Sequence, residues 1–252
     1  MNKRIAEFLG WYFGDGCLST KSGKFEFTIT GDLKEEISFY EEVMVPQCNK
    51  LFGKLLKKEV KLRKYPSVGV CGIYIFNKNF VNYLQESYGL KAGKKLNVNI
   101  PNFQTLEEKR HFLRGLFDTD GSIYFCRCNV KTKKVNFYNT FHSKPKIKLA
   151  TISEGLIKKA FIMLTELGFS PRFYSPRKQR PYENTMYSIV LDTKINVEKW
   201  LLEIGFRSQK HSTKVEIWRK YGFCPPHTTF AQRQEIISGK MSPFSFYSFK
   251  RE

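Results

Sequence analysis

The segment FLGWYFGDG at Phe8–Gly16 has a second copy, LRGLFDTDG, at Leu113–Gly121. Both segments are apolar and end in Asp-Gly. Both also carry small residues four positions apart: Gly10 and Gly14 in one, Gly115 and Thr119 in the other. Residues four apart lie on one face of a helix, and small residues on that face let two helix backbones approach closely. The two segments therefore predict a pair of helices packed along their small faces.

Such packing would bring Asp15 and Asp120 together at the C-terminal ends of the two helices. Two carboxylates placed there repel each other, and a helix C-terminus prefers a cation. A divalent metal ion would relieve both conflicts, because hard cations take oxygen ligands. Gly16 and Gly121 are predicted to end the helices in the left-handed conformation. Buried helices with solvated Asp-Gly turns are the simpler interpretation of one segment, and the match between two copies favours the paired site.

The composition indicates a packed protein with a polyanionic partner. The chain has 252 residues, of which 41% are hydrophobic and 15% aromatic, enough for a real core. Its formal net charge of +20 favours nucleic acid as the partner. A basic membrane-surface protein is the weaker alternative, because the sequence has neither a basic amphipathic helix nor an apolar run of about 18 residues. The short apolar stretch near the N-terminus does not predict a signal peptide.

The six cysteines include no CxxC pair, and Cys126 and Cys128 have the wrong spacing for a zinc knuckle. We therefore expect free thiols in an intracellular reducing compartment, either an organelle or a prokaryotic cytoplasm. The histidines are scattered and are read as ordinary polar or core residues: His111, His142, His211 and His227.

Hydrophobic periodicity and turn residues predict the order α-β-β-α-β-β-α twice. The expected fold is α+β, with two subdomains related by a pseudo-two-fold axis. The predicted divisions are an N-terminal subdomain (1–98), a linker (99–105), a C-terminal subdomain (106–215) and an extension (216–252). We expect the extension to pack on the second half.

Further correspondences support the internal repeat. Thr28-Ile29-Thr30 is matched with Thr151-Ile152-Ser153, and the loop Gly89–Lys94 is matched with Gly205–Lys210. The second hairpin is longer and very basic, which accounts for the larger offset between later matches.

These features resemble the LAGLIDADG homing endonucleases of the single-chain, two-motif type, over about residues 3–215. Both copies keep the small residue at position three of the nine-residue motif, the acidic residue at position eight and the final glycine. They differ at position six, where Phe13 stands in the first and Asp118 in the second. The resemblance implies two LAGLIDADG helices at a subdomain interface, with antiparallel sheets forming a DNA-binding saddle.

The resemblance also implies a monomeric homing endonuclease that cuts both strands of a long, near-asymmetric double-stranded DNA site. Asp15 and Asp120 would bind Mg2+, with Mn2+ as a substitute and Ca2+ binding without cleavage; Gly14 and Thr119 would belong to the same metal site. Lys94 and Lys210 would be the catalytic loop lysines.

The family's polar position after the second strand is assigned to Gly31 and Glu154. Gly31 has no side chain, so any contribution at this position must be asymmetric. Glu154 would be an accessory residue or only a helix cap.

Outward side chains on the sheets would read base edges, and basic loops would contact phosphates. The expected DNA-binding residues of the first half are Lys24, Glu26, Thr28, Lys61 and Arg63. Those of the second half are Arg127, Lys131, Lys133, Lys134, Lys148, Arg177, Lys178 and Arg180.

A second hypothesis keeps the same fold without DNA cleavage: an RNA maturase that binds its host intron, or a non-cleaving DNA-binding protein. The presence of both Asp15 and Asp120 favours the nuclease, since a non-cutting relative has no need of two metal-binding carboxylates. With no splicing residues at its ends, the chain is predicted to be a free, intron-encoded protein rather than part of an intein.

Overall fold

A computed structural model describes residues 1–93, 95, 98–128, 136–174 and 184–247. The first half contains the following elements: α1 (Lys3–Phe13), β1 (Gly16–Ser19), β2 (Glu26–Asp32), α2 (Leu33–Phe39), α3 (Val45–Leu56), β3 (Leu62–Tyr65), β4 (Val70–Phe76) and α4 (Lys78–Tyr88). The second contains α5 (Leu106–Thr119), β5 (Gly121–Cys126), α6 (Phe137–Thr140), β6 (Lys144–Thr151), α7 (Glu154–Glu166), β7 (Arg172–Tyr174), β8 (Tyr187–Leu191) and α8 (Lys194–Glu203). Two more helices follow: α9 (Gln209–Tyr221) and α10 (Phe230–Ile237).

The strands form two antiparallel four-stranded sheets with the same topology. Their strand orders are β1-β2-β4-β3 and β5-β6-β8-β7. The predicted α+β class and the repeated strand pattern are therefore confirmed. Phe27 and Ile29 on β2 are fully buried, while Thr28 between them is partly exposed on the opposite face, as alternation along a strand predicts.

The helix that follows β2 continues through an irregular turn into a second helix. Asp32 caps α2 by accepting hydrogen bonds from the backbone N–H groups of Lys34 and Glu35. A π-helical turn, Tyr40–Met44, then connects α2 directly to α3. Pro46 at the start of α3 has no N–H to donate in the regular helical pattern, which gives this interruption a local cause. Sequence reasoning missed α3.

Helices α1 and α5 approach each other at backbone distance, as their small faces predict. A Cβ atom at Gly10 would lie 2.3 Å from the Phe112 carbonyl oxygen. One at Gly115 would lie 2.2 Å from the Glu7 carbonyl oxygen. No side chain larger than a hydrogen atom fits at either position without separating the helices.

The predicted left-handed caps at Gly16 and Gly121 are wrong. Neither residue has a positive φ, and each begins a strand instead. Glycine is needed because the chain folds back over the last helical turn. A Cβ at Gly16 would lie 2.6 Å from the Tyr12 Cα, and one at Gly121 would lie 2.5 Å from the Phe117 carbonyl oxygen.

An ion pair between α1 and α5, next to the glycine contact, fixes the relative position of the two helices. Glu7 on α1 is 1% exposed and accepts two hydrogen bonds of 3.0 Å from the Arg114 guanidinium on α5. Arg207 also contacts this carboxylate, at 3.3 Å. Burial by itself raises the pKa of Glu7, but hydrogen bonds from His111 and Arg114 and the charges of Arg114 and Arg207 outweigh it and lower the pKa to about 2.

The C-terminal extension contacts both halves, whereas packing on the second half alone was expected. Arg233 on α10 is 1% exposed, and its guanidinium lies 2.6 Å from the Glu35 carboxylate on α2. The other Glu35 oxygen accepts the Phe230 N–H at 2.7 Å. The end of the extension also packs on the second half, where Tyr247 donates to or accepts from His142. Residue 215, the predicted end of the second subdomain, lies within α9.

All six cysteines are free thiols. Among the described residues, none of the helices combines the length and the apolar character required to cross a bilayer. Cys48, Cys71 and Cys224 are buried, where free cysteine behaves as a small hydrophobic residue.

We expect Gly10→Ala and Gly115→Ala to lower the free energy of unfolding by about 1–3 kcal/mol or more, because the added methyl groups meet backbone atoms that cannot move aside. Gly53→Ala is the matched control. Gly53 lies in α3 with no atom within 4 Å of its Cβ position, so alanine there should stabilise the protein by about 1 kcal/mol. Urea unfolding of the three variants measures both effects, and equal stability of all three would contradict the close helix contact.

Candidate metal-dependent nucleic-acid site

Asp15 and Asp120 meet where the two motif helices end. Asp120 is the C-cap of α5, and its N–H donates to the Leu116 carbonyl at 3.0 Å. Asp15 follows the Gly14 C-cap of α1. Their side chains approach closely enough that each affects the pKa of the other. The juxtaposition predicted from the two matching segments is therefore present.

The electrostatics of the pair are unfavourable without a cation. Burial, the neighbouring Asp120 and Glu36 raise the pKa of Asp15 to about 7. Burial also raises the pKa of Asp120, against the opposing charges of Lys95 and Lys210. Two partly buried carboxylates this close repel each other when both are charged, so the neutral form of Asp15 is favoured up to about pH 7 in the metal-free protein.

Lys210 is placed at the seam by α9 and is partly buried. Its Nζ lies 2.8 Å from Oε1 of Glu36, a buried carboxylate on α2 that sequence reasoning missed. Its charge lowers the pKa of both Asp15 and Asp120. A helix of the second half therefore brings a cation to a carboxylate of the first half.

Lys94, the lysine predicted for the first half, lies outside the described residues. The next residue, Lys95, reaches the site. Its Nζ donates to the carbonyl oxygens of Tyr12 at 2.9 Å and Phe13 at 3.1 Å, and also to that of Gly14. This ammonium group lies at the negative end of the α1 dipole, which makes this end of the helix a place that accepts a cation.

Gly14 and Thr119 adjoin the aspartates, as expected, and pack against each other. A Cβ at Gly14 would lie 2.0 Å from the Thr119 hydroxyl oxygen. That hydroxyl donates within its own helix to the carbonyls of Gly115 and Leu116, both at 3.1 Å. The Thr119 hydroxyl is therefore already hydrogen-bonded, and its visible contribution is close packing.

Asp118, where the two motif copies differ, has a structural task. Its buried carboxylate accepts the backbone N–H groups of Arg207 and Ser208 at 3.0 Å, just before α9 begins. Burial raises the pKa of Asp118 to about 7, although these two hydrogen bonds lower it. Asp118 thereby holds the start of the helix that carries Lys210. Phe13 at the matching position cannot do this.

The pairing of strands in the two sheets shows that one predicted match between the two halves is wrong. Gly16 pairs with Ile29, and Gly121 pairs with Leu149. Thr151, rather than Glu154, therefore occupies the position of Gly31. The match of Thr28-Ile29-Thr30 with Thr151-Ile152-Ser153 was displaced along the strand, because both segments share only short polar-apolar alternation.

Glu154 lies on the surface rather than at the seam. It is the first residue of α7, about half exposed, and it pairs with Lys158 at 2.6 Å. Its other oxygen accepts the Tyr187 hydroxyl at 3.3 Å. The cap of α7 is Ser153, whose side chain accepts the Leu156 N–H, so Glu154 is not the helix cap, and its exposed ion pair gives no support to an accessory role in the metal site.

The donor set at the seam fits a hard divalent ion that keeps much of its hydration. The parts of the chain that the structure describes hold no group of three or more His, Cys, Asp or Glu side chains arranged around a metal position. The seam supplies two carboxylates and backbone carbonyls. Mg2+ is commonly held by one or two carboxylates together with water and substrate phosphate, so two side-chain ligands are sufficient for it.

Those predicted DNA-binding residues that the structure describes lie on the outward faces of the two sheets or at the ends of their strands. Arg63 pairs with Gly72 across the first sheet, and its guanidinium lies 5.3 Å from the Phe76 ring centroid. Thr28 pairs with Tyr74, and Lys148 on β6 pairs with Ser122. The other described members lie on the same faces or at strand ends: Lys24, Glu26, Lys61 and Arg127.

Six of the predicted DNA contacts lie outside the described residues: Lys131, Lys133, Lys134, Arg177, Lys178 and Arg180. Sequence reasoning also missed outward residues on the same faces. Register and alternation identify them as Tyr74, Phe76, Lys144, Lys146 and Arg172. The alternating lysines of β6 were visible in the sequence, but the facing aromatic residues could be found only from the strand pairing.

Residues 107–205 match the LAGLIDADG-like domain family. A crystal structure of I-DmoI in complex with DNA and Mn superposes with a TM-score of 0.54 at 16% identity, over 81% of this chain and 96% of that one. A mutant of I-SmaMI gives a TM-score of 0.55 at 12% identity, over 95% of both chains. The chain therefore has the LAGLIDADG homing endonuclease fold of the single-chain, two-domain type, and the resemblance seen in the sequence is confirmed.

Curated relatives contain a similar segment inside longer chains. The replication factor C small subunit of Methanocaldococcus jannaschii is 26% identical over 216 residues, which cover 85% of this chain and 10% of that protein. The tRNA-splicing ligase RtcB of Methanopyrus kandleri is 22% identical over 237 residues, covering 87% of this chain and 22% of that protein. This chain thus spans about a tenth to a fifth of the length of these relatives.

We expect Asp15→Asn to stabilise the metal-free protein increasingly as pH rises from about 4 to 7. The pKa of Asp15 is raised from 3.8 to about 7 in the folded state. Between about pH 4 and 7 the unfolded chain therefore loses this proton more easily than the folded protein does, and the free energy of unfolding of the natural protein falls. Asparagine keeps the neutral form at every pH. Urea unfolding in EDTA measures the difference, with the exposed helix cap variant Asp32→Asn as control. A gain from Asp15→Asn that stays constant with pH would contradict the raised pKa.

Proposed function

We propose that the chain is a site-specific, metal-dependent endonuclease that cuts both strands of a long, near-asymmetric DNA site. The observation that carries this proposal is the contact of Asp15 with Asp120 at the seam between two sheets of identical topology. One carboxylate comes from each half, so each DNA strand can meet one of them.

The residues around the seam have separate tasks in this proposal. Asp15 and Asp120 hold Mg2+, which Mn2+ can replace, with the carbonyl of Gly14 and the backbone at Thr119 beside them. The bound metal would activate water and stabilise the leaving oxygen during phosphodiester hydrolysis. Lys95 and Lys210 place positive charge where scissile phosphates would lie, and Lys94 is a further candidate for this task.

The DNA-binding part of the proposal rests on charge and on the sheet faces. A net charge of +20 favours a polyanion. Antiparallel ribbons with outward polar side chains can enter major grooves, where all base pairs are distinguishable. Arg63, Thr28 and Lys148 are proposed to read bases, with flexible lysines at the strand ends positioning the backbone. I-DmoI, which has the same fold, has been crystallised in complex with DNA, and this supports a DNA partner for the proposal.

An RNA maturase or a non-cleaving DNA-binding protein is the second candidate on this fold. The retained carboxylate pair favours the nuclease, because a purely binding protein would be more stable without two repelling groups at the seam. Monomeric function and an intron-encoded origin remain proposals. The occurrence of similar segments within longer relatives makes a larger parent protein the alternative origin.

We expect Asp15→Asn and Asp120→Asn each to abolish double-strand cleavage in Mg2+ while leaving DNA affinity in Ca2+ within about two-fold, since neither substitution alters the basic faces. The substrate is a plasmid that carries a site selected from a randomised library. Asp32→Asn, which preserves its helix cap, should cut normally. Normal cutting by both seam variants would remove the metal assignment, whereas sequence-specific binding without any cutting by the natural protein would favour the second candidate.

We expect DNA affinity to fall about 10³-fold or more between 50 and 200 mM salt, because many phosphates must be neutralised. Lys148→Ala should reduce the slope of log K against log salt by about 1. Lys54→Ala, which removes a charge of the same kind from the last turn of α3, should leave that slope unchanged. Fluorescence anisotropy in Ca2+ measures both slopes. An affinity independent of salt would argue against DNA as the ligand.

A further inference from the structure

The first half lacks a side chain at Gly31, and neighbouring residues of α2 fill that space. A Cβ atom at Gly31 would lie 2.5 Å from Oε2 of Glu36 and 3.1 Å from the hydroxyl oxygen of Tyr40. Both groups therefore occupy the volume that a side chain on β2 would take. They come from the last turns of α2 and from the π-helical turn that follows it.

Glu36 connects this space to Lys210. Its Oε1 accepts the Lys210 ammonium at 2.8 Å, and its Oε2 accepts the Asp32 N–H at 2.8 Å. Glu36 is 6% exposed, so its carboxylate is held between two fixed donors. It is also close enough to Asp15 and Asp120 to act on both electrostatically.

Tyr40 is 1% exposed, and its hydroxyl has no hydrogen-bond partner among the described residues. A buried hydroxyl without a partner costs about 1–3 kcal/mol unless something else binds it. The hydroxyl lies near both Asp15 and Glu36, whose negative charges, together with burial, raise the pKa of Tyr40. Its surroundings are thus those of the metal site, and π-helical turns such as the one that begins here are frequent at functional sites.

The second half has no equivalent of these two groups. Counted from the N-caps Asp32 and Ser153, Glu36 corresponds to Ile157. By the same count, Tyr40 corresponds to Phe161, which packs against the hydrophobic core. The polar niche at Gly31 is therefore a property of one half only.

We infer that Glu36 and Tyr40 form a water-binding niche on the Asp15 side of the site, in which Glu36 positions Lys210 and the Tyr40 hydroxyl binds a water molecule of the reaction. This inference rests on the proposed nuclease function and deepens it. Ile157 and Phe161 stand at the corresponding positions of the second half. The two scissile phosphates, one on each DNA strand, would therefore be surrounded by chemically different side chains. The two cuts then depend unequally on the niche.

The main test is Tyr40→Phe, which removes only the hydroxyl. We expect cleavage of one strand to fall about 10- to 100-fold, which corresponds to the loss of a hydrogen bond to a charged site, so that nicked plasmid accumulates. DNA affinity in Ca2+ should stay within about two-fold, and the melting temperature should not fall, since the lost hydroxyl has no protein partner. Tyr83→Phe is the matched control: it removes a hydroxyl that bonds to Tyr88 far from the seam and should cut both strands at the natural rate.

A second test examines whether Glu36 acts through Lys210. Glu36→Gln should slow cleavage in the natural background and have no further effect when Lys210→Met is already present. Glu41→Gln, which breaks an exposed pair with Lys64, is the control. Melting temperatures separate slow cleavage from loss of folding.

The outcomes are distinguishable. If the natural protein does not cut DNA, the proposed function fails, and the inference fails with it. If it cuts and Tyr40→Phe cuts both strands at the natural rate, only the niche is excluded. Additive effects of Glu36→Gln and Lys210→Met would exclude the positioning role of Glu36.

Discussion

The contact between the backbones of α1 and α5 is the constraint on which the remaining structure depends. Gly10 and Gly115 permit a separation that no other residue type would allow, and the buried Glu7–Arg114 pair fixes how far each helix extends along the other. Because both helices are held in this position, Asp15 and Asp120 leave them at the same level and the strands begin at matching points. The geometry of the site is therefore a result of helix packing and not of flexible loops.

The carboxylate pair would be costly in an otherwise ordinary seam, and the surrounding charges are arranged to limit that cost. Lys95 covers the carbonyl end of α1, while Lys210 is restrained by Glu36. Asp118 contributes from within α5 by holding the first turn of α9. These lysines offset the carboxylates only in part, and in the proposed function a divalent cation would complete the compensation.

Much of this arrangement could be predicted from the sequence. The repeated motif identified both helices and both aspartates, because the spacing of small residues and the Asp-Gly ends are local signals. Other features depend on distant partners. The predicted subdomain boundary at residue 215 falls inside α9, whose start is held by Asp118, far away in the sequence. Glu36 and Tyr40 were missed because their importance comes from the empty space at Gly31. The roles of Gly16 and Gly121 were misassigned because an Asp-Gly pair also occurs where a chain must cross its own helix.

The Arg233–Glu35 pair limits how the two halves can be exchanged with those of another protein. The extension that carries Arg233 has no counterpart in the first half, yet it contacts α2 of that half through a buried charge. Recombining one half of this protein with a foreign partner would leave either Arg233 or Glu35 without its counter-charge, and chimaeras need their boundaries drawn so that α2 and α10 are inherited together.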